Sequence, residues 1–515
     1  MASHIDILAI EEACIADIHA AFLAGTLNVH AVIAACLARI AAYDKNGPYL
    51  NSLITVNANA LDEADRIDAA YQATGAFIGP LHGIPVIVKD NLDAIGMPMT
   101  SGFQGWKKYY PPSDAPVVAK IKAAGGIILA KASLSEFANG GGDNINSVLP
   151  GFARNPYNTL YATGGSSGGT GAALAASFAV VGIGTDTGGS IRMPVAHNAL
   201  VGLRPTVGLV SRSGVVPLDA VRDTAGPMTR SVTDMAILLD VIVGPDPDDA
   251  ATARSAGHIP PSYQPCLQTD GLRTARLGVL RQVFTPQATD ARIIAQFERT
   301  LAELKAAGAE IVDPCLVPEL DTIPRPLQTS AQFKTDLTAW MVRHPGVPYP
   351  SVKAIAASKL LHPLHQQSFD EAAEALPAEH DPATIEGRHN EARFRAAFMQ
   401  AMDAAQIDAM VFPTWAQLPA INGDRNTQIT DDPKPAPHAS PTNPGSSLSF
   451  IGSMLQWPAI SVPNGNIQGL PTGLQLLARA WDEAKLIQYA YAYEQATHYR
   501  QPPPTVPPLA LISPG

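Results

Sequence analysis

Apolar residues recur along the chain with two different spacings. Between residues 6 and 43 they recur every three or four positions, which predicts two amphipathic helices separated by the segment "AGTLN". Elsewhere the apolar runs are short and unbroken, as at 84–88 and 127–130. Runs of that kind are typical of strands that are buried on both faces of a sheet.

Helical and strand patterns alternate over most of the chain. Residues 115–130 predict a helix, a Gly-Gly turn and a strand, and residues 275–313 predict strand, helix and strand. Two strands joined by a Gly/Asn turn are expected within 460–479, followed by a closing helix within 482–498. We therefore predict an α/β fold, a single large domain whose central mixed, mostly buried sheet has helices on both faces.

The predicted domain, 1–515, has regions of different character. They are the N-terminal helices at 6–75, a core at about 80–245, a mainly helical cap at about 317–400, strands and a helix at 405–500, and a Pro-rich tail at 501–515. The cap is predicted where helical patterns are interrupted by Pro and His residues rather than by strands.

The composition of the chain limits the kinds of partner and cofactor that we expect for the protein. The net charge of -11, with no run of Lys or Arg, argues against a nucleic-acid partner. The absence of a long apolar segment and of a signal-peptide pattern predicts a cytoplasmic protein without membrane contact. The four cysteines are scattered, so neither a metal site nor a disulfide is expected, and no cofactor is implied. We expect a monomer or homodimer.

Two Gly/Ser clusters lie within residues 163–193, which are "TGGSSGGTGAALAASFAVVGIGTDTGGSIRM". The first contains "GSSGG", which matches the G-x-S-x-G nucleophile elbow with Ser167 at its centre. An elbow follows a buried strand, whereas the preceding "NPYNTLYAT" is polar and turn-forming. Neither cluster matches a phosphate-binding loop. The interpretation that both are simple turns stays open at this point.

The predicted local structure of the second cluster is better suited to a catalytic role. The apolar run 178–183 predicts a strand that leads into "TDTGGS", and a helix is expected to begin near Ser190. Backbone N–H groups at a helix start lack intrahelical acceptors, and the two glycines allow the amides of Thr187, Gly188, Gly189 and Ser190 to converge. Converging amides are what an oxyanion hole requires.

A nucleophilic serine needs a base, and Lys89 is the nearest candidate. It ends the apolar run "PVIVK", and burial there would lower its pKa from about 10.4 towards neutrality. Taken alone, the simpler interpretation is that Lys89 pairs with Asp90 or Asp93 and has only a structural role.

Together these motifs resemble the amidase signature family. The family's pattern is present as "GIPVIVKDN" at 83–91, "GGSSGG" at 164–169 and "GTDTGGSIR" at 184–192. Ser166 and Ser190 lie 24 residues apart, as in that pattern. The resemblance continues through "VGLRPTVGLVSRSGVVPL", "DTAGPMTRSVTDMA" and "PAISVPNG", and it leaves about 250–400 and the tail unmatched.

The resemblance implies roles for particular residues. Ser190 would be the nucleophile, Ser166 a bridging residue after a cis peptide bond, and Lys89 the base. The remaining implied residues are Ser167, Asp186 and Arg192 as supporting residues with an Asp186–Arg192 pair, and Asn139 and Gly140 beside the substrate. They accompany the oxyanion hole expected from the second cluster, to which Thr187, Gly188 and Gly189 are assigned.

The resemblance also implies an activity. The expected protein is a serine hydrolase that cleaves C–N bonds of neutral aryl or aliphatic amides through an acyl-enzyme, with carbamates and esters able to enter the same chemistry. Its substrate would be a small molecule. The alternative is the amidase-type subunit of a glutamine-dependent tRNA amidotransferase, which works in a complex and passes ammonia onward. A catalytically dead binding module would require a damaged triad, and the sequence shows none.

Overall fold

The computed structural model describes residues 10–139, 147–318, 320, 322–324, 329–422 and 447–509. Within these residues, eleven strands form one sheet. They are β1 (Leu53–Val56), β2 (Pro85–Lys89), β3 (Ile127–Ala132), β4 (Val181–Asp186), β5 (Val201–Arg204), β6 (Thr224–Thr229), β7 (Arg276–Val279), β8 (Glu310–Val312), β9 (Ala409–Pro413), β10 (Ala459–Ile467) and β11 (Leu470–Ala478).

Helices account for most of the remaining regular structure. They are α1 (Ile15–Leu23), α2 (Val29–Tyr43), α3 (Ala60–Thr74), α4 (Pro116–Ala123), α5 (Gly168–Ala175), α6 (Arg192–His197), α7 (Val232–Ile242), α8 (Ala291–Ala306), α9 (Ser330–Arg343), α10 (Val352–Ser358), α11 (Pro363–Glu374), α12 (Pro382–Ala404), α13 (Ser447–Leu455) and α14 (Glu483–Thr497). None of these helices is both long and apolar enough to cross a lipid bilayer.

The sheet is mixed, and its strand order brings distant segments together. The order is β1-β3-β2-β4-β6-β5-β10-β11-β9-β7-β8. β2 runs parallel to β3 and to β4, with Val86 opposite Val181. Since neighbouring parallel strands end at the same edge, the residues that follow β2 and β4 lie side by side. The predicted α/β fold with a buried mixed sheet is confirmed.

Two strand predictions differ from the structure. The strand expected at 178–183 begins at Val181, because the chain first closes helix α5 through a left-handed turn at Ser177. There the Phe178 N–H donates to the carbonyl of Ala173. Strand β6 was not anticipated, because it contains Gly226 and Pro227, and proline cannot donate to a strand ladder. It nevertheless lies between β4 and β5.

A second apolar cluster lies beside the main core. The main core covers both faces of the sheet, whereas the second cluster joins helices α9, α10 and α11 to the segment 99–109 that follows β2. Its centre is a stack of rings, in which Trp340 lies 5.5 Å from Trp106 and 3.7 Å from His344 between ring centroids. The His344 ring also bonds Asp93 at 2.9 Å. The region for which a cap is predicted is thereby fastened to the segment that leaves β2.

Removal of the central ring of this stack is expected to destabilise the fold. Trp340 is 1% exposed, so Trp340→Ala leaves a large cavity and should lower the free energy of unfolding by about 3–5 kcal/mol. Urea titration followed by circular dichroism measures the loss. Val342 lies on the same helix and is 77% exposed, so Val342→Ala is the matched control and should shift stability by less than about 0.5 kcal/mol. Equal midpoints for the two variants would contradict this account of the cluster.

Candidate active site

Lys89 is the last residue of β2, and its amine points at the loop that begins after residue 164. Its Nζ lies 2.7 Å from the Ser166 Oγ and 2.8 Å from the Thr185 Oγ1. The side chain is fully buried, and burial lowers the pKa of Lys89 to about 7 against the opposing charges of Asp186 and Asp223. A lysine with that pKa is partly neutral at pH 7 and can accept a proton from Ser166.

The simpler interpretation, in which Lys89 pairs with a neighbouring carboxylate, is wrong. Asp90 pairs with Lys131 at 3.0 Å, and it also accepts from the Thr100 N–H at 3.0 Å. Asp93 pairs with His344. Both carboxylates therefore have partners other than Lys89, and desolvation controls its charge.

The first Gly/Ser cluster supplies two buried serines. The peptide bond between Gly165 and Ser166 is cis, as the resemblance implies. Ser167 donates from its Oγ to the Thr185 carbonyl at 3.1 Å, and from its backbone N–H to the Ser190 carbonyl at 3.2 Å. Ser167 thus ties the first cluster to β4 and to the second cluster.

Exposure separates the three serines. Ser166 and Ser167 are completely buried, whereas Ser190 is 8% exposed. Turns and loop rather than a strand precede Ser167, which removes the structural context of a nucleophile elbow. Of the three hydroxyls, the one on Ser190 is therefore the best placed to meet a substrate.

Asp186, the last residue of β4, organises the second cluster. Its carboxylate accepts from the backbone N–H groups of Gly189 at 2.9 Å and Ile191 at 3.1 Å. The Arg192 guanidinium bonds both carboxylate oxygens at 3.1 Å, so the predicted Asp186–Arg192 pair is confirmed. Arg204 on β5 adds a bond of 2.9 Å. Burial alone would raise the pKa of Asp186, but the two arginines outweigh it and hold the pKa well below its usual range.

The amides after Asp186 differ in what they can bind. The Gly189 N–H is directed to Asp186, which leaves it a poor donor to a substrate. In the part of the chain that the structure describes, no group accepts from the backbone N–H of Thr187, Gly188 or Ser190. Of the four amides expected to converge, these three remain for an oxyanion, whereas that of Gly189 is engaged by Asp186. Gly189 has a φ of 114°, which favours glycine there for its backbone conformation.

Helix α13, which is remote in sequence from the second cluster, packs over it. The Ser453 Oγ lies 3.3 Å from the Asp186 carboxylate and 3.2 Å from the Arg192 guanidinium. One turn earlier, the Phe450 ring packs so closely on Gly188 that a Cβ there would lie 2.6 Å from it. Phe450 remains 37% exposed, so its ring forms part of a surface beside the candidate oxyanion amides.

Several residues of this site were not found from the sequence. Arg204, Phe450 and Ser453 carried no local signal, because their roles depend on contacts across the sheet. Asn139 donates from its Nδ2 to the Ser368 Oγ on α11 at 3.3 Å. Gly140 lies outside the described residues. Among those residues, no group of three His, Cys, Asp or Glu side chains is arranged to hold a metal ion.

Comparison with known proteins identifies the family of this chain. The model of the Amidase family matches residues 31–487. One subunit of the Glutamyl-tRNA(Gln) amidotransferase of Symbiobacterium thermophilum is 33% identical, over 94% of this chain and 97% of its own length.

Two solved structures share the fold over nearly the whole chain. The peptide amidase of Stenotrophomonas maltophilia is 37% identical with a TM-score of 0.84, covering 96% of this chain and 98% of its own. The corresponding subunit of the Glutamyl-tRNA(Gln) amidotransferase of Thermotoga maritima is 25% identical with a TM-score of 0.74, covering 98% and 99%. The chain therefore belongs to the amidase signature family, whose members act on C–N bonds.

Proposed function

We propose that the protein hydrolyses the C–N bond of an amide through an acyl-enzyme formed on Ser190. The observation that carries the proposal is the 2.7 Å contact between the Lys89 amine and the Ser166 hydroxyl. Because that lysine is fully buried and its pKa is lowered to about 7, its neutral form is available as a base. Ser166 then bridges the base and the nucleophile.

The proposed steps move one proton along this line. Neutral Lys89 takes the Ser166 proton while Ser166 takes the Ser190 proton, and the Ser190 oxygen attacks the carbonyl carbon of the amide. Amides of the second cluster stabilise the negative charge on the carbonyl oxygen. The proton returns through Ser166 to the leaving nitrogen, so that the C–N bond breaks and the amine departs. Water then cleaves the ester to Ser190 by the same route.

The surroundings of Ser190 favour a neutral substrate with an apolar part. Phe450 offers a partly exposed ring beside Gly188. The nearby charges of Asp186 and Arg192 are already paired with each other. We therefore propose aryl or aliphatic amides as substrates, and carbamates and esters as compounds that enter the same acyl-transfer chemistry.

A second candidate setting for this chemistry is the ammonia-releasing subunit of a tRNA amidotransferase. The curated relatives favour it over the stand-alone enzyme, since the aligned Symbiobacterium thermophilum protein is a subunit of such an amidotransferase. The likeness to peptide amidase supports a stand-alone amidase instead. Both settings use Ser190 in the same way, and they differ in the substrate and in the need for a partner.

Replacement of the nucleophile tests the chemistry common to both settings. Ser190→Ala should lower kcat for every hydrolysed amide by at least about 1000-fold, because no oxygen remains to form the acyl-enzyme. The panel contains acyl p-nitroanilides, hydrophobic primary amides, aryl carbamates and glutamine. Ser113 is exposed and is distant in sequence from both clusters. Ser113→Ala is therefore the control, and it should keep the parental rates. Full activity of Ser190→Ala would overturn the proposal.

The same panel separates the two settings. If the protein acts alone, the purified chain should hydrolyse anilides or hydrophobic primary amides at rates that no added protein increases. If it works within an amidotransferase, ammonia release from glutamine should require a protein that co-purifies with it. Ammonia assays on the purified chain and on the co-purified complex decide between these results.

The base should show itself in the pH dependence of kcat/KM. Since the pKa of Lys89 is lowered to about 7 and the neutral amine is the active form, kcat/KM should rise through about pH 7 and level off above about pH 8. Lys89→Arg should be inactive over the same range, because a guanidinium stays protonated. A flat profile between about pH 5 and about pH 9 would contradict a lysine base.

A further inference from the structure

A buried carboxylate lies directly behind the candidate oxyanion amides. Asp223, the residue before β6, accepts a hydrogen bond from the Thr187 hydroxyl through its Oδ1. Its Oδ2 accepts from the backbone N–H of Leu218 at 2.8 Å and of Asp219 at 3.1 Å. Asp223 is 6% exposed. Both of its oxygens are therefore occupied, and one of them holds a residue of the second cluster.

The segment 218–223 is fixed from the other side by helices α9 and α12. The Ala220 N–H donates to Asp336 on α9 at 2.8 Å. On α12, Arg388 bonds Asp219 at 2.8 Å and Glu391 accepts from Arg222 at 2.6 Å. Because these contacts hold the segment independently of Thr187, Asp223 can position Thr187 rather than be positioned by it.

The charge of Asp223 also differs from that of its neighbour Asp186. Asp186 is neutralised by Arg192 and Arg204, whereas Asp223 forms no ion pair within 4 Å among the described residues. Burial raises the pKa of Asp223 to about 7, and the bond from Thr187 opposes that rise. The other charged groups that interact with Asp223 are Lys89 on β2, Arg204 on β5, Asp336 on α9, and Asp219 and Arg212 on the preceding loop.

We propose that Asp223 is a positioning residue for the amide hydrolysis proposed above, on which this inference rests. Its carboxylate fixes the Thr187 hydroxyl and with it the amides that receive the oxyanion. Its negative charge also stabilises the ammonium form of Lys89, and so raises the pH above which the base is active. A merely structural carboxylate would affect stability without moving that pH.

The isosteric variant separates charge from shape. Asp223→Asn removes the negative charge beside Lys89, so the pKa of Lys89 falls and the acid limb of kcat/KM should shift to lower pH by at least about 0.5 unit. Because Asp223 changes its charge over the same pH range and so broadens the titration of Lys89, the limb should also become steeper in Asp223→Asn. Asp370→Asn, on an exposed residue of α11, is the control and should keep the parental limb. An unmoved limb in folded Asp223→Asn overturns the role of the charge.

The hydroxyl of Thr187 is tested by a matched pair. Thr187→Val removes the donor to Asp223 and should lower kcat by at least about tenfold with little change in KM, since the loss is confined to the transition state. Thr187→Ser retains the donor and should recover most of that loss. Equal losses in the two variants overturn the positioning role.

The outcome also shows which proposal is at fault. Activity that survives Ser190→Ala rejects the proposed function itself, whatever the Asp223 result. Activity that is lost in Ser190→Ala, together with a parental profile in Asp223→Asn, rejects the inference about Asp223 alone. Circular dichroism checks that Asp223→Asn folds, and if it does not, the Thr187 pair decides the inference.

Discussion

The whole site depends on one desolvated amine. At pH 7 a lysine whose pKa is lowered to about 7 opposes folding by about 4 kcal/mol, relative to the same lysine in the unfolded chain. The opposition is fully present below the folded pKa and fades as pH rises to the unfolded value near 10.4. The surrounding sheet must supply that free energy, and the buried strands β2, β3 and β4 do so with their apolar side chains and their backbone pairing.

The carboxylates near Lys89 raise its pKa, but they do not restore its usual value. Asp186 is close enough to raise the pKa of Lys89, yet its own charge is shared with Arg192 and Arg204. The same carboxylate binds two backbone N–H groups of the second cluster. One buried carboxylate therefore shapes the loop that carries Ser190, while its two arginine partners limit its effect on Lys89.

Local patterns predicted the parts of this site that depend on local structure. The apolar run before Lys89 forms β2. The two Gly/Ser clusters lie against each other at the end of β4, where Ser167 contacts Thr185 and Lys89 contacts Ser166. Strand β6 was missed because Pro227 interrupts its pattern, although tertiary pairing on both sides keeps it in the sheet. Contacts from remote segments, such as Arg204 and Phe450, have no local signature. The direction of the Gly189 N–H likewise depends on Asp186, which spacing alone does not reveal.

The position of α13 in the chain bears on when the site is complete during synthesis. Arg192 is held by Ser453 and by Gln475 on β11 at 3.0 Å, and Phe450 covers Gly188. Strand β10 also pairs with β5, next to the strands that frame the site. A nascent chain that has left the ribosome only as far as Lys89 and both Gly/Ser clusters still lacks these contacts. The ribosome must therefore release the chain through at least β11 before the loop that carries Ser190 acquires its final support.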